Sequence, residues 1–209
     1  MVRVKICGIT NAADALAAID AGANVLGFNF YDKSPRRVSE AEAAKIRVQL
    51  PKRVEAVGIF VNAPPAEVIA LGKSLKLHAA QLHGDETPET VEEVAADIAV
   101  YKAFRVEPEF RLETLDEYPE AEAFLFDAAS TGQYGGTGRT TDWDLARRAA
   151  QTHRIILAGG LKVENVAAAV RIVRPYGVDV ASGVESKPGK KDHARLREFI
   201  QEVRRAERR

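Results

Sequence analysis

The sequence contains little of what marks an exported, membrane-bound or metal-bound protein. Its 209 residues include one cysteine, Cys7, which excludes an internal disulfide framework and a structural zinc site built from cysteines. No apolar run approaches the roughly 18 residues that a membrane-spanning helix needs. The first residues alternate charged and β-branched side chains and lack the apolar stretch of a secretory signal. We therefore expect a cytoplasmic protein with no membrane partner.

The sequence also lacks an excess of charge of either sign. Lysine and arginine total 30, aspartate and glutamate total 30, and the isoelectric point is about 6.9. A chain without a basic surplus is not expected to bind nucleic acid. Hydrophobic residues make up 46% of the sequence, enough for a globular core, and no linker divides it. Residues 1–209 are therefore predicted to form a single domain, monomeric or homodimeric, that acts on a small molecule.

A unit of about 26 residues recurs along the chain, and each unit has a short apolar run, a loop with glycine or proline, and a helical pattern. Residues typical of helix ends support this interpretation. Asn11, Ser39 and Thr87 are placed to cap helix N-termini, and Gly22 is placed to end the first helix. The eight predicted strands cover residues 3–6, 25–29, 56–61, 79–83, 100–104, 123–127, 155–158 and 178–182.

Strands that alternate with helices form parallel sheets with right-handed crossovers. Such a sheet is either open and doubly wound or closed into a barrel. Eight units of near-equal length, without a dinucleotide-binding glycine pattern after the first strand, favour the barrel. The predicted fold is α/β, a single (β/α)8 TIM barrel of minimal size. Pro108 and Pro119 leave room for only a stunted helix after strand 5.

Side chains alternate across a strand, so the inward face of each predicted strand can be derived from the sequence. The apolar neighbours place Cys7 inward on strand 1, Gln81 and His83 inward on strand 4, and Asp127 inward on strand 6. All four lie at C-terminal strand ends, where barrels of this kind build active sites. Each one by itself is also consistent with an isolated, hydrogen-bonded polar residue. Taken together, they predict a functional site.

The same alternation places Lys5 and Asp179 on the inward faces of strands 1 and 8, about two residues below the strand ends. These two strands become neighbours when a barrel closes. Because an unpaired charge is costly in a protein interior, we expect a salt bridge between the two side chains beneath the site. The alternative is that Lys5 extends to the far end of the barrel and Asp179 bonds only to backbone or water.

Glycine-rich segments follow strands 6, 7 and 8. Glycine lets the backbone come close to a ligand, and free N–H groups favour an anion, so adjacent loops of this type predict a phosphate site. For each segment separately, the alternative is that the glycines only serve tight turns. The residues expected to bind phosphate are Gly136, Gly138, Gly159, Gly160, Ser182 and Gly183.

A series of motifs resembles the phosphoribosylanthranilate isomerase family in order along essentially the whole chain. The stretch 128–134 matches no family motif, and position 141 carries threonine where the family more often has phenylalanine. The matching motifs include Lys5-Ile6-Cys7-Gly8-Ile9-Thr10, Ser34-Pro35-Arg36, Gln81-Leu82-His83-Gly84, Leu125-Phe126-Asp127, Gly135-Gly136-Thr137-Gly138, Leu157-Ala158-Gly159-Gly160 and Val178-Asp179-Val180-Ala181-Ser182-Gly183-Val184-Glu185.

The resemblance implies an isomerase of tryptophan biosynthesis that converts N-(5′-phosphoribosyl)anthranilate to 1-(2-carboxyphenylamino)-1-deoxyribulose 5-phosphate by an Amadori rearrangement. It implies that Asp127 is the general acid, that Cys7 is the general base and that Arg36 holds the anthranilate carboxylate. Gln81 and His83 are expected to bind substrate. A thiol acts as a base in its thiolate form, which nearby cations favour by lowering the pKa. Because the hydrogen moves within one molecule, no cofactor and no metal are expected.

Two other functions are consistent with a phosphate-binding barrel. One is another aldose–ketose isomerase of phosphosugars, such as the aminoimidazole ribonucleotide isomerase of the histidine pathway. That enzyme has an aspartate at the end of strand 1, where this sequence has Cys7, and the difference argues against it. The other is a non-catalytic barrel that binds a phosphorylated metabolite, which binding without turnover would favour.

Overall fold

A closed barrel of eight parallel strands forms the centre of the computed structural model, which describes residues 1–107, 109–128 and 142–208. Neighbouring strands follow chain order, and the last strand pairs with the first to complete the ring. This arrangement confirms the predicted (β/α)8 class. The strands are β1 (Arg3–Cys7), β2 (Val25–Asn29), β3 (Glu55–Phe60), β4 (Ala79–Leu82), β5 (Ala99–Val106), β6 (Ala123–Ala128), β7 (Ile155–Leu157) and β8 (Gly177–Val180).

Helices alternate with the strands, except after β5. There the chain forms only a 3₁₀ segment, Leu112–Glu117, which confirms the predicted stunted helix. An antiparallel hairpin of β9 (Glu185–Lys187) and β10 (Lys190–Lys191) follows β8, and the sequence analysis does not predict it. No helix within the described ranges is long and apolar enough to cross a membrane. The helices are α1 (Ala12–Ala21), α2 (Glu40–Arg47), α3 (Pro65–Leu75), α4 (Pro88–Ala95), α5 (Trp143–Ala149), α6 (Val163–Val173) and α7 (His193–Glu207).

The four predicted helix-end residues act as expected. The side-chain oxygens of Asn11 and Ser39 accept hydrogen bonds from backbone N–H groups in the first turns of α1 and α2, at 2.8 and 3.2 Å. Thr87 caps α4 in the same way. Gly22 ends α1 with φ 104°, a left-handed conformation that glycine adopts without steric cost. The three N-caps fix where loops at the mouth of the barrel end and the helices begin.

The two faces of the barrel strands pack into two different hydrophobic layers. Outward side chains such as Val4, Ile6 and Phe126 pack against the helices in the main core. Inward side chains such as Val25 and Leu125 fill the interior of the barrel. The predicted alternation on strands 1 and 6 is therefore confirmed. Apolar packing fills the lower part of the interior, so polar inward residues gather at the C-terminal strand ends.

The seam between β1 and β8 closes the barrel and holds a buried ion pair. Its register places Lys5 opposite Asp179. Lys5 Nζ donates to Asp179 Oδ1 at 2.8 Å, and the two side chains are 3% and 9% exposed. The predicted salt bridge is therefore confirmed. It lies at the level just below the end of β1, where Cys7 follows two residues after Lys5.

Candidate active site

A cavity of about 550 Å³ opens at the C-terminal end of the barrel, and we call it the mouth cavity. Its volume is typical of small-molecule sites. Most of the predicted site residues meet there. Those that line it are Cys7, Arg36, Gln81, His83, Asp127, Gly159, Gly160 and Ser182. Gly183 is not part of the lining, because it packs against the backbone of the loop after β7, and Gly136 and Gly138 lie outside the described residues.

Cys7 ends β1 on its inward face and is buried at the base of the mouth cavity. Burial raises the pKa of this thiol because the thiolate would lose its hydration. The charges of Lys5 and Lys191 lower the pKa, but burial outweighs them. Burial therefore dominates at Cys7 in the free protein, and the two lysines offset it only in part. Lys5 nonetheless acts in the expected direction.

Asp127, His83 and Gln81 form a chain of contacts across the ends of β6 and β4. His83 Nε2 lies 3.3 Å from Asp127 Oδ2, and Gln81 Nε2 lies 2.8 Å from His83 Nδ1. With Gln81 donating to Nδ1, a neutral imidazole carries its proton on Nε2, facing the carboxyl group. Gln81 Oε1 is buried and has no hydrogen-bond partner in the described part of the chain. An unpaired buried acceptor is costly, so its place on the cavity wall favours a ligand donor there.

Arg36 reaches the mouth cavity from the loop after β2 and packs over Gly8. A Cβ atom at position 8 would lie 2.7 Å from Arg36 Cδ, and Gly8 has φ 74°, so glycine is needed here for both space and conformation. Arg36 Nε and Nη2 donate to both carboxylate oxygens of Glu185 at 2.8 to 3.1 Å. Nη1 has no hydrogen-bond partner among residues 1–107, 109–128 and 142–208. One edge of the guanidinium is therefore held and another is open to a ligand.

The loops after β7 and β8 touch at a glycine. A Cβ atom on Gly183 would lie 2.0 Å from the carbonyl oxygen of Leu161, so these loops can pack together only because residue 183 has no side chain. Gly159 and Gly160 have φ 78° and 66°, in the left-handed region. No described carbonyl accepts a hydrogen bond from the N–H of Gly160 or Gly183. Free N–H groups on adjacent loops favour an anion.

The sequence analysis missed three residues on one side of the mouth cavity. Asn29 ends β2, and Tyr31 and Lys33 follow in the next loop. Asn29 lies on the same strand face as Val25, which faces the barrel interior, so the alternation applied to Cys7 also predicts Asn29. Tyr31 and Lys33 had no such signal, because loop residues follow no fixed alternation.

Comparison with known proteins finds relatives that match this chain along nearly its whole length. The family model described as N-(5′-phosphoribosyl)anthranilate (PRA) isomerase matches residues 4–202. The N-(5′-phosphoribosyl)anthranilate isomerase of Pelobacter propionicus is 52% identical over 200 residues, which cover 96% of this chain and 94% of the relative. The match therefore spans the strands and loops that form the mouth cavity.

Solved structures agree with the sequence comparison. Phosphoribosylanthranilate isomerase from Thermotoga maritima is similar with a TM-score of 0.91 and 43% identity, over 98% of this chain and 99% of the other. A phosphoribosylanthranilate isomerase in complex with reduced 1-(o-carboxyphenylamino)-1-deoxyribulose 5-phosphate has a TM-score of 0.87 and 42% identity, with the same coverage. The similarity thus extends to a protein whose structure contains a phosphorylated, carboxylate-bearing ligand.

Proposed function

We propose how the mouth cavity works from the premise that this chain belongs to the N-(5′-phosphoribosyl)anthranilate isomerase family. The chain is an isomerase of tryptophan biosynthesis, and its substrate is N-(5′-phosphoribosyl)anthranilate. The product is 1-(2-carboxyphenylamino)-1-deoxyribulose 5-phosphate, formed by an Amadori rearrangement. One observation carries our assignment of roles: Cys7, Asp127 and the open edge of Arg36 converge on a single cavity at the carboxyl ends of the strands.

Asp127 is the general acid of this proposal. Its protonated carboxyl gives a proton to the ribose ring oxygen, the bond from that oxygen to C1′ breaks, and the anilino nitrogen shares its lone pair to form an iminium. The place of Asp127 at the end of β6, buried on the wall of the mouth cavity, supports this role. His83 Nε2 lies 3.3 Å from Asp127 Oδ2, so the imidazole at the end of β4 is the neighbour of this carboxyl group.

Cys7 is the general base. Its thiolate removes the C2′ proton of the iminium, and the resulting enolamine becomes the ketone. Burial raises the pKa of this thiol in the free protein, but the iminium brings positive charge into the mouth cavity, and a nearby cation favours the thiolate. The positive charge of Lys5 also favours the thiolate. No cofactor is required, because the hydrogen moves within one molecule.

The two anionic ends of the substrate are assigned to different parts of the mouth cavity. The open edge of Arg36 suits the planar carboxylate of the anthranilate. The phosphate is assigned to the glycine-rich loops, and the N–H groups of Gly160 and Gly183, which no described carbonyl accepts, support an anion site. The backbone groups proposed for the phosphate are those of Gly136, Gly138, Gly159, Gly160, Ser182 and Gly183.

Gln81 and His83 are proposed to bind the ribosyl part of the substrate. The support is the unpartnered Oε1 of Gln81, which accepts a hydrogen bond from a sugar hydroxyl in this proposal. His83 Nδ1 accepts a hydrogen bond from Gln81, and His83 Nε2 lies near Asp127. Gln81 thereby sets the orientation of the imidazole ring beside Asp127. This pair thus connects substrate binding to the acid.

A cytoplasmic location and a monomeric or homodimeric state are part of the proposal. The single unpaired Cys7 supports a reducing compartment. Cell fractionation and light scattering of the purified chain measure the two properties.

Turnover of N-(5′-phosphoribosyl)anthranilate by the purified chain, followed through the anthranilate fluorescence, tests the function. We expect turnover without added cofactor and its loss in Cys7→Ala. Binding of the reduced product without turnover would instead favour a metabolite-binding barrel. Turnover of the aminoimidazole ribonucleotide alone would favour the other isomerase.

A further inference from the structure

Glu185 is a buried carboxylate that no step of the proposed reaction uses. It accepts three hydrogen bonds from Arg36 at 2.8 to 3.1 Å, and its side chain is 4% exposed. Its Oε1 also accepts from Lys191 Nζ at 2.9 Å. Burial alone would raise the pKa of Glu185, but hydrogen bonds from Arg36 and the charge of Lys191 lower it. Glu185 is therefore an ionised bridge between two cations.

Lys191 attaches this bridge to the barrel. Its Nζ donates to the carbonyl oxygen of Cys7 at 2.6 Å and to that of Ala181 at 3.2 Å. These carbonyls lie at the end of β1 and directly after β8. Lys191 and Glu185 thus fix the guanidinium of Arg36 relative to the strand end that carries the proposed base.

The three charged side chains of this cluster, two cations and one anion, together carry one net positive charge. Arg36 and Lys191 are cations, Glu185 is the anion between them, and Arg36 faces the mouth cavity. Buried charges are stable when they are paired, so the open edge of Arg36 favours an anion. The carboxylate of the substrate supplies that anion.

We propose that Glu185, held by Lys191, is a positioning residue that keeps the open edge of Arg36 directed at the substrate carboxylate. The hairpin of β9 and β10 carries both Glu185 and Lys191. Through this contact it makes the mouth cavity select an aromatic amine with an ortho carboxylate. The inference rests on the proposed role of Arg36. It gives the hairpin a role in substrate selection, which the proposed acid–base steps do not include.

A purely structural role for Glu185 makes a different prediction. If the carboxylate only neutralises buried cations, its removal lowers stability and affects all ligands of the mouth cavity alike. If it positions Arg36, its removal weakens the binding of ligands that carry the carboxylate and spares those that lack it. The ratio of the two affinities on one protein sample separates these roles.

Isothermal titration calorimetry with two probes measures this ratio. The first probe is reduced 1-(o-carboxyphenylamino)-1-deoxyribulose 5-phosphate, and the second is the same compound with an unsubstituted phenylamino group. In Glu185→Gln we expect the affinity for the first probe to fall about tenfold or more, and that for the second to change less than about twofold. Glu207→Gln is the matched control, because it removes the ion-pair partner of Arg204 on α7, outside the mouth cavity.

Glu185→Asp is the second variant, because it keeps the charge but withdraws the carboxylate by one methylene. We expect a selective loss in the same direction, so the test remains decisive if Glu185→Gln does not fold. An unchanged ratio in the folded variant, or equal loss for both probes, would overturn the positioning role.

Arg36→Met distinguishes this inference from the proposed function. If Arg36→Met keeps the full preference for the carboxylated probe, Arg36 is not the carboxylate-binding group, and the proposed function is wrong at that residue. If Arg36→Met loses the preference while the Glu185 variants keep it, only the role of Glu185 is wrong.

Discussion

Cys7 has to act as a base from a position where burial favours its neutral thiol. We therefore expect alkylation by iodoacetamide to accelerate with pH, with a midpoint above the ordinary thiol value of about 8.5. Cys7 is the single cysteine of the sequence, so the mass change reports this residue alone. Lys5→Met should move the midpoint higher, because the charge of Lys5 lowers the pKa of the thiol.

Lys45→Met is the control for this experiment. Lys45 pairs with Glu42 on the exposed surface of α2, so the midpoint should not change. A midpoint at or below the ordinary value in the parent chain would show that burial does not dominate at Cys7. A lower midpoint in Lys5→Met would show that Lys5 does not favour the thiolate.

Asp127 and Arg36 should respond differently to substitution. Asp127→Asn removes the transferable proton, so we expect kcat to fall by about 10²–10⁴ while KM changes less. Arg36→Met should raise KM at least as strongly as it lowers kcat, because the carboxylate contact exists in the ground state and in the transition state. Steady-state fluorescence kinetics measure both constants. A normal kcat with a raised KM in Asp127→Asn would assign that residue to binding instead.

The β8-to-α7 connection is the element that the sequence analysis describes least well. Pro188 and Gly189 separate charged residues there, a pattern typical of an exposed turn. In the structure this segment forms the hairpin of β9 and β10 and buries both Glu185 and Lys191. Glu185 pairs there with Arg36, 149 residues away, and Lys191 donates to the carbonyl oxygen of Cys7, 184 residues away, so no local pattern predicts their burial.

The contact between the loops after β7 and β8 gives a prediction about the phosphate site. In Gly183→Ala the new Cβ meets the carbonyl oxygen of Leu161, which forces the two loops apart. We expect the affinity for inorganic phosphate to fall roughly tenfold or more and KM to rise, because small displacements of binding groups are costly. Competition of phosphate against substrate measures this affinity.

Gly72→Ala is the matched control for Gly183→Ala. Gly72 lies in α3, and a Cβ atom there meets only the terminal methyl of Ile98, which can move. Alanine also favours a helix interior over glycine, so KM and phosphate affinity should stay unchanged. If Gly183→Ala also leaves phosphate affinity unchanged, the phosphate binds elsewhere.

At the scale of the whole molecule, the ion pair of Lys5 and Asp179 ties together the strands that close the barrel. Lys5→Met leaves the Asp179 carboxylate buried without its partner, so we expect the free energy of unfolding to fall by roughly 3–5 kcal/mol. Lys45→Met breaks an exposed pair and should change it by less than about 1 kcal/mol. Urea denaturation measures both values, and equal small changes would show that the pair contributes little to closure.

The pH dependence of this contribution has a definite sign. Burial by itself lowers the pKa of Lys5, but Asp179 and the sulfur of Cys7 raise it above the ordinary lysine value. A cation with a raised pKa in the folded state stabilises the fold at lower pH and loses that effect as pH rises through the folded-state value. The difference between parent and Lys5→Met should therefore be complete at neutral pH and shrink only above about pH 10.5.

The barrel, its inward faces and the ion pair at the seam could be predicted from the sequence, because strand alternation and closure are regular rules. The same rules brought Cys7, Gln81, His83 and Asp127 to one cavity. Net electrostatic effects could not be predicted, because the pKa of Cys7 depends on a balance between burial and several charges. The buried Glu185 and Lys191 were missed because they lie in the hairpin, outside the barrel strands to which the alternation applies.

The kcat of Cys7→Ala tests most directly whether this cavity rearranges its substrate by acid–base chemistry. The substitution removes the base and leaves Asp127, Arg36 and the phosphate loops in place. We predict that kcat for N-(5′-phosphoribosyl)anthranilate falls by about 10²–10⁴ while KM changes less and the circular dichroism spectrum is retained. A folded Cys7→Ala variant with near-normal kcat would contradict the assignment of the base and the reaction derived from it.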